Sequence, residues 1–205
     1  SINENSIITK FNFYKKRHKK IKKVLNFIVE NNIIYIADNI GYLYAFNYKK
    51  NKILWAKNYK IPFRSNLKIF QNKLIVANQN NNLFFFNINN GNELSSFPTE
   101  ETIVKNKFIN NLSLNQQYTY FLNTYGSLYA LDNKRMRINW FINLNQSLDL
   151  NPSNLFIGNI IMANQNIVTV SSNEFTYIIN SVNGAIIHKK NFTSIIILNY
   201  NGTKF

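Results

Sequence analysis

The stretch Asp38-Asn39-Ile40-Gly41-Tyr42-Leu43-Tyr44-Ala45-Phe46-Asn47, followed by Asn51-Lys52-Ile53-Leu54-Trp55, decides the fold because it recurs. Three further segments align with its centre without gaps. They are Asn81-Asn82-Leu83-Phe84-Phe85-Phe86-Asn87, Gly126-Ser127-Leu128-Tyr129-Ala130-Leu131-Asp132 and Glu174-Phe175-Thr176-Tyr177-Ile178-Ile179-Asn180. Leu43, Leu83, Leu128 and Thr176 form one column, separated by 40, 45 and 48 residues, the length of a four-stranded propeller blade. In the next column Tyr44, Phe84, Tyr129 and Tyr177 keep an aromatic ring, and Asn47, Asn87, Asp132 and Asn180 keep a small polar turn former.

Upstream of each segment lies a second β-rich run: Ile33–Ala37, Leu74–Ala77, Tyr118–Leu122 and Ile167–Val170. Short polar links such as Asn78-Gln79-Asn80 join the two, which reads as a hairpin. Eight residues past the turn former stand Trp55, Ser95, Trp140 and His188; four past it stand Asn51, Gly91, Met136 and Gly184. Asn and Gly suit a left-handed backbone there, and Met136 predicts a different turn in the third repeat. The inner strands, Leu43–Phe46 and Phe84–Phe86, are apolar on both faces and so need cover on both sides. Blades stacked face to face around an axis supply it.

The expected fold is therefore all-β, a β-propeller of four-stranded antiparallel blades in a partial, open arc of about four to five. The repeats are placed at 31–71, 72–116, 117–163 and 164–205 of a single propeller segment, with residues 1–30 ending a preceding blade. The last unit stops soon after its third strand, at Ser194 to Tyr200, which implies a piece of a longer protein whose free edges are apolar.

With Asp38–Asn47 and Trp55, and again with Gly126–Asp132 and Trp140, the chain resembles the PQQ-like repeat, whose pattern is roughly D-x-x-G-x-L-Y-A-L-D followed by T-G-K-x-x-W. The resemblance covers about residues 31 to 192. It implies that Trp55 and Trp140 fasten neighbouring blades, and that blades carrying Ser95 and His188 are weaker or packed otherwise. Two branches carry such repeats: quinone-cofactor dehydrogenases, and noncatalytic propellers of the BamB type, lipoproteins of the outer-membrane β-barrel assembly machinery. The dehydrogenases need a metal-quinone site with acidic ligands and commonly a vicinal Cys pair. Here there is no Cys, and the nine acids are scattered.

The BamB-like branch is accordingly preferred. In it a Leu- and Ser-rich loop after a W-x-x-N-L run contacts the barrel-assembly subunit, and Trp140-Phe141-Ile142-Asn143-Leu144 followed by Ser147-Leu148-Asp149-Leu150 resembles that spacing. Leu148, Asp149 and Leu150 are the candidate contacts. The resemblance implies a protein partner, the barrel-assembly subunit, at the periplasmic face of the bacterial outer membrane. It implies no cofactor and no small-molecule substrate, and membrane attachment only through a lipid anchor outside this segment.

Composition bounds the alternatives. Hydrophobic residues make up 45% and aromatic ones 15%, enough for a packed core. With 6 Gly and 3 Pro, many tight turns must use Asn. The net charge of +15 raises nucleic acid as a partner, yet Asn, Lys, Ile, Phe and Tyr share A- and T-rich codons, so compositional bias explains it and nucleic acid is not expected. Lys15 to Lys23, seven cations in nine residues, reads as a solvated turn between two β-like runs. Only His18 and His188 exist, no phosphate-binding Gly-Lys loop is present, and the adjacent Glu100 and Glu101 would point to opposite faces of a strand. No enzyme is expected; a quinone-dependent dehydrogenase fragment and a basic nucleic-acid-binding propeller are the alternatives.

Overall fold

Each aromatic-centred segment forms the third strand of its own antiparallel sheet. The structure, a computed structural model, describes residues 7, 9–18, 20–101, 111–145 and 155–193. The first sheet holds β1 (Leu25–Glu30), β2 (Ile33–Asp38), β3 (Tyr42–Asn47) and β4 (Lys52–Asn58); the second holds β5 (Lys68–Phe70), β6 (Lys73–Ala77), β7 (Leu83–Asn87) and β8 (Glu93–Phe97). The third comprises β9 (Asn111–Leu114), β10 (Tyr118–Leu122), β11 (Ser127–Asp132) and β12 (Arg137–Asn143), and the fourth β13 (Gly158–Ala163), β14 (Ile167–Ser172), β15 (Thr176–Asn180) and β16 (Ile186–Lys190). All four are simple meanders, and none closes into a barrel.

The sheets are phased one strand earlier than the repeats read from the sequence. Leu25–Glu30, expected at the end of a preceding blade, pairs with β2 as the first strand of the first sheet. The positions 31, 72, 117 and 164 fall in the turns between first and second strands, because the recurring motif marks the central hairpin and is silent about the short strand before it.

The columns superpose in register. Tyr44, Phe84, Tyr129 and Tyr177 lie opposite Ile36, Val76, Phe121 and Val170 on the second strand. On the fourth strand they lie opposite Ala56, Ser96, Phe141 and Lys189. A register shift recurs in all four outer hairpins, just before Trp55, Ser95, Trp140 and His188.

Turns repeat as well. In the central hairpin one side chain accepts two backbone N–H groups: Asp38 from Ile40 and Tyr42, Asn78 from Asn80 and Asn82, Asn123 from Tyr125 and Ser127. Asn31, Asn32, Asn51 and Asn81 take positive φ, as the scarcity of Gly predicts. Met136 also takes positive φ, 50°, and its N–H bonds the Asp132 carbonyl at 2.8 Å, as Gly91 bonds Asn87. The different turn expected at Met136 is thus absent. Two N–H bonds from Lys134 and Arg135 to the Asp132 carboxylate hold the loop, and packing against the second and third sheets offsets the strain of the Met backbone.

Burial runs between sheets. Tyr35, Ala37, Leu43 and Ala45 meet Leu74, Val76 and Phe86; Ile75, Leu83 and Phe85 meet Phe121, Tyr129 and Leu131; Tyr120, Leu128 and Trp140 meet Val168, Tyr177 and Ile179. Thus the aromatic column of each later sheet faces the sheet before it. First strands β5, β9 and β13 approach one another, and Asn side chains cross between them: Asn66 and the Leu112 backbone exchange two hydrogen bonds, and Asn111 donates to the Gly158 carbonyl.

On the first sheet the same face carries, among the described residues, the segment Phe11 to Tyr14. Phe13 stacks on Tyr44 at 4.2 Å and Phe11 on Phe46 at 4.9 Å, while the Tyr14 hydroxyl donates to the buried Asp38 carboxylate at 2.7 Å. Burial and the Asp38 bond both raise the Tyr14 phenol well above its ordinary value. The segment is not a strand; a single 3-10 turn, Lys16–His18, follows it.

Candidate protein-interaction site

The sheets present two unlike ends. One carries the first-to-second and third-to-fourth strand turns; the other carries the central hairpin turns and the links that step from each outer strand to the next sheet's first strand. At this linker end, between the third and fourth sheets, is a cleft of about 280 Å³ lined by Leu144, Leu155, Phe156, Glu174, Phe175 and Tyr177 among others.

Its walls follow from the repeat. As the chain leaves β12, the Leu144 N–H bonds the Gly126 carbonyl at 2.8 Å, the same bond that Tyr59 makes to Gly41 after β4. The chain returns at Phe156, whose N–H bonds the Thr124 carbonyl at 2.8 Å. The ring of Phe156 lies against Gly126 and Gly158, where an added Cβ would come within 2.9 and 2.4 Å of it. Opposite, the Ser172 hydroxyl caps the central turn by accepting from the Phe175 N–H at 3.1 Å. Lys189 extends its ammonium over the Phe175 ring at 3.9 Å, a cation–π contact.

Buried Tyr177 forms the floor, its hydroxyl donating to the Leu144 carbonyl at 3.4 Å. Burial raises its phenol, with the Glu174 carboxylate adding to the effect. Glu174 and Tyr177 are the titratable lining groups. A lining that mixes aromatic and aliphatic groups with amides, a phenol and one carboxylate offers a place for a partner's side chain. Among the described residues no three of His, Cys, Asp and Glu come together. A wider cleft of about 640 Å³ on the opposite end, lined by Asn115, Gln116, Gln117, Lys134, Arg135 and Gln165 among others, lacks an apolar floor.

Residues 146–154, which join the two walls, lie outside the described residues, and with them Leu148, Asp149 and Leu150. The remaining positions singled out from the sequence serve packing. The Trp55 indole N–H donates to the Ile88 carbonyl at 3.0 Å and Trp140 to Ser181 at 3.1 Å, each reaching the next sheet. Each ring lies against a glycine of that sheet: an added Cβ would fall 2.6 Å from Trp55 at Gly91 and 2.7 Å from Trp140 at Gly184. Ser95 cannot reach so far, and at that junction the glycine is replaced by Met136, which packs against the buried cluster that Phe85, Phe121 and Tyr129 form between the second and third sheets. The blade carrying Ser95 is packed otherwise, as the missing Trp predicts.

Glu100 was not legible in the sequence. Its half-buried carboxylate accepts from Ser127 (2.6 Å), Asn123 (2.6 Å) and Tyr129 (2.8 Å), tying the second-to-third link to the third sheet. Burial alone would raise this carboxyl, but these bonds and one from its own backbone outweigh burial and hold it below its ordinary value.

No known family's sequence pattern matches the chain, and no curated protein matches it. Solved structures do. BamB from Moraxella catarrhalis is similar at a TM-score of 0.69 and 15% identity, over 83% of this chain and 53% of that one. The chain has a β-propeller-type fold. Its blades also resemble the computationally designed Ika8 protein (TM-score 0.60, 11% identity, 82% of this chain and 49% of that one) and Saccharomyces cerevisiae Sqt1 (0.64, 16%, 81% and 48%). The chain spans about half the length of each. At such identities the likeness is one of fold, shared by a designed protein as well as natural ones.

Proposed function

We propose that this chain is part of a noncatalytic propeller scaffold that holds a protein partner at the linker end of its blades, and that it serves β-barrel protein assembly at the periplasmic face of a bacterial outer membrane. The observation that carries the reading is the cleft of mixed apolar and polar lining between the third and fourth blades, whose wall is formed by Leu144, Asn145, Leu155 and Phe156, the residues that flank positions 146–154 in sequence. That loop has the sequence spacing of the contact loop in BamB-type propellers, and the fold likeness to BamB supports the same assignment. Leu148 and Leu150 would supply apolar anchors beside the cleft, and Asp149 a rim charge that orients the partner. The partner is the barrel-assembly subunit.

A binding assay with the periplasmic part of that subunit tests the proposal. Replacing Leu148, Asp149 and Leu150 together by Ala should weaken binding by roughly 100-fold, the effect of losing two apolar anchors, with the unfolding midpoint unchanged. Binding that survives the triple replacement, or that is absent in the parent chain, would overturn the reading.

A further inference from the structure

The cleft at the end of the blades away from the linkers is lined by polar residues alone. Its walls are three turns: 115–117 between β9 and β10, 132–135 between β11 and β12, and 165–166 between β13 and β14. All three belong to the third and fourth blades, so both walls are present within this chain. At about 640 Å³ it falls within the size range of ligand sites. The turns are tied to one another by side chains with nothing left to offer. Asn115 accepts from the Gln117 and Tyr118 N–H groups. It donates to the Tyr120 hydroxyl at 3.0 Å and to the Asn164 carbonyl at 2.7 Å, which joins the third blade to the fourth. Buried Asn133 donates to the Asn115 carbonyl at 3.1 Å and accepts from the Thr119 hydroxyl at 2.6 Å. On the fourth blade, Ser181 donates through its hydroxyl to the Gln165 carbonyl and through its N–H to the Asn166 carbonyl.

The groups that face the cleft are the reverse. Among the described residues the exposed side chains of Gln117, Lys134, Arg135 and Asn166 make no hydrogen bond, and Gln116 and Gln165 meet only at 3.4 Å across the blade boundary. The charge is lopsided. Asp132 is the one acid in the lining, and its carboxylate already accepts from the Lys134 and Arg135 N–H groups at 2.9 and 2.7 Å. Those bonds, the Arg135 N–H foremost, together with the Arg135 and Arg137 charges, outweigh its slight burial and hold its carboxyl below the ordinary value. The cleft therefore presents two cations and unspent carboxamides on a fixed frame, and a ligand that fits it brings negative charge and acceptors. Carboxylates answer Lys134 and Arg135, and the backbone of an extended peptide answers carboxamides, which both donate and accept. Single-stranded nucleic acid would look for rings on which to stack its bases, and none lines this cleft.

We infer that this cleft binds an acidic peptide segment of a partner protein, with Lys134 and Arg135 taking its carboxylates and Gln117 and Asn166 its backbone amides. The site lies on the opposite end of the blades from the cleft lined by Leu144 and Phe156. It stands whether or not a partner docks there.

Fluorescence anisotropy on this chain tests it, with a short labelled peptide of alternating Glu and Ser as the probe. The same peptide with Gln for Glu, and a single-stranded oligonucleotide, are the comparison probes. The Glu peptide should bind and the Gln peptide should not. Because the chain carries a net +15, the deciding comparison is between equal changes of charge. Lys134→Gln with Arg135→Gln should weaken binding of the Glu peptide by roughly 100-fold, at about tenfold per charge-assisted bond. Lys49→Gln with Lys50→Gln removes the same charge from the corresponding turn of the first blade, and should change binding by no more than about threefold. Gln117→Ala with Asn166→Ala alters no charge and should weaken binding by about tenfold. All these side chains are exposed, so the unfolding midpoints should match the parent's. Failure of the Glu peptide to bind, equal losses from the two cation pairs, or indifference to the amide pair would overturn the proposal. Oligonucleotide binding that needs Lys134 and Arg135, where the peptide does not bind, would reassign the cleft to phosphate.

Discussion

Glu100 shows how a single charge is worked into the fold. Three side-chain donors converge on its carboxylate, all from the third blade, while the residue itself sits on the link from the second. Its carboxyl lies below the ordinary 4.5 when folded. The ionised form therefore stabilises the folded state above that ordinary value, and the contribution is lost as pH falls from there through the lowered folded value. Glu100→Gln should cost about 1 kcal/mol at neutral pH, and the gap between variant and parent should narrow as pH is taken below 4.5. Urea melts across that range measure it; a gap that stays constant would mean the carboxylate is not held in its charged form. The sequence hides this residue because its partners are 23 to 29 positions away, and nothing local distinguishes it from Glu101. By contrast, Asp38, Asn78 and Asn123 act on N–H groups two and four residues ahead, inside the short polar links that the sequence marks as hairpin turns.

Between elements the same logic separates what was legible from what was not. The central hairpins were, because both of their faces are buried and the pattern has nowhere to vary. First strands were less so: Leu25–Glu30 reads as a β-like run but was given to a preceding blade, and Lys68–Phe70 is too short and too partly covered to stand out. Phe11 to Tyr14 reads as a strand by composition, yet its rings spend themselves on Tyr44 and Phe46 without a ladder of backbone bonds. The junctions between blades carry a code of their own: Trp55 faces Gly91, Trp140 faces Gly184, and the Ser95 junction carries Met136. Trp55→Ser should cost about 3 kcal/mol, and Gly91→Met about as much by driving a side chain into the indole from a left-handed backbone. Together they should cost about 1–3 kcal/mol less than the two separate losses combined, since the Met takes the vacated space. Denaturation of the three variants decides it, and strict additivity would show that ring and turn are not coupled.

At the scale of the whole molecule the four blades divide their surfaces. The linker end gathers the hairpin turns and the cleft between the third and fourth blades, and the aromatic segment Phe11 to Tyr14 lies on the face of the first blade. The proposed function lies at the linker end, and it depends on the blades being stacked first strand to first strand. The chain has no Cys, which makes that stacking directly testable. Asn111 on β9 and Asn159 on β13 touch through their side chains at 2.8 Å, at an exposed site. With Asn111→Cys and Asn159→Cys introduced together, a short bis-thiosulfonate cross-linker should join the two thiols within one molecule, seen as faster gel migration of the monomer that reverts on reduction. A folded double variant that stays open, or that links only between molecules, would contradict the stacked arrangement and the sites placed upon it.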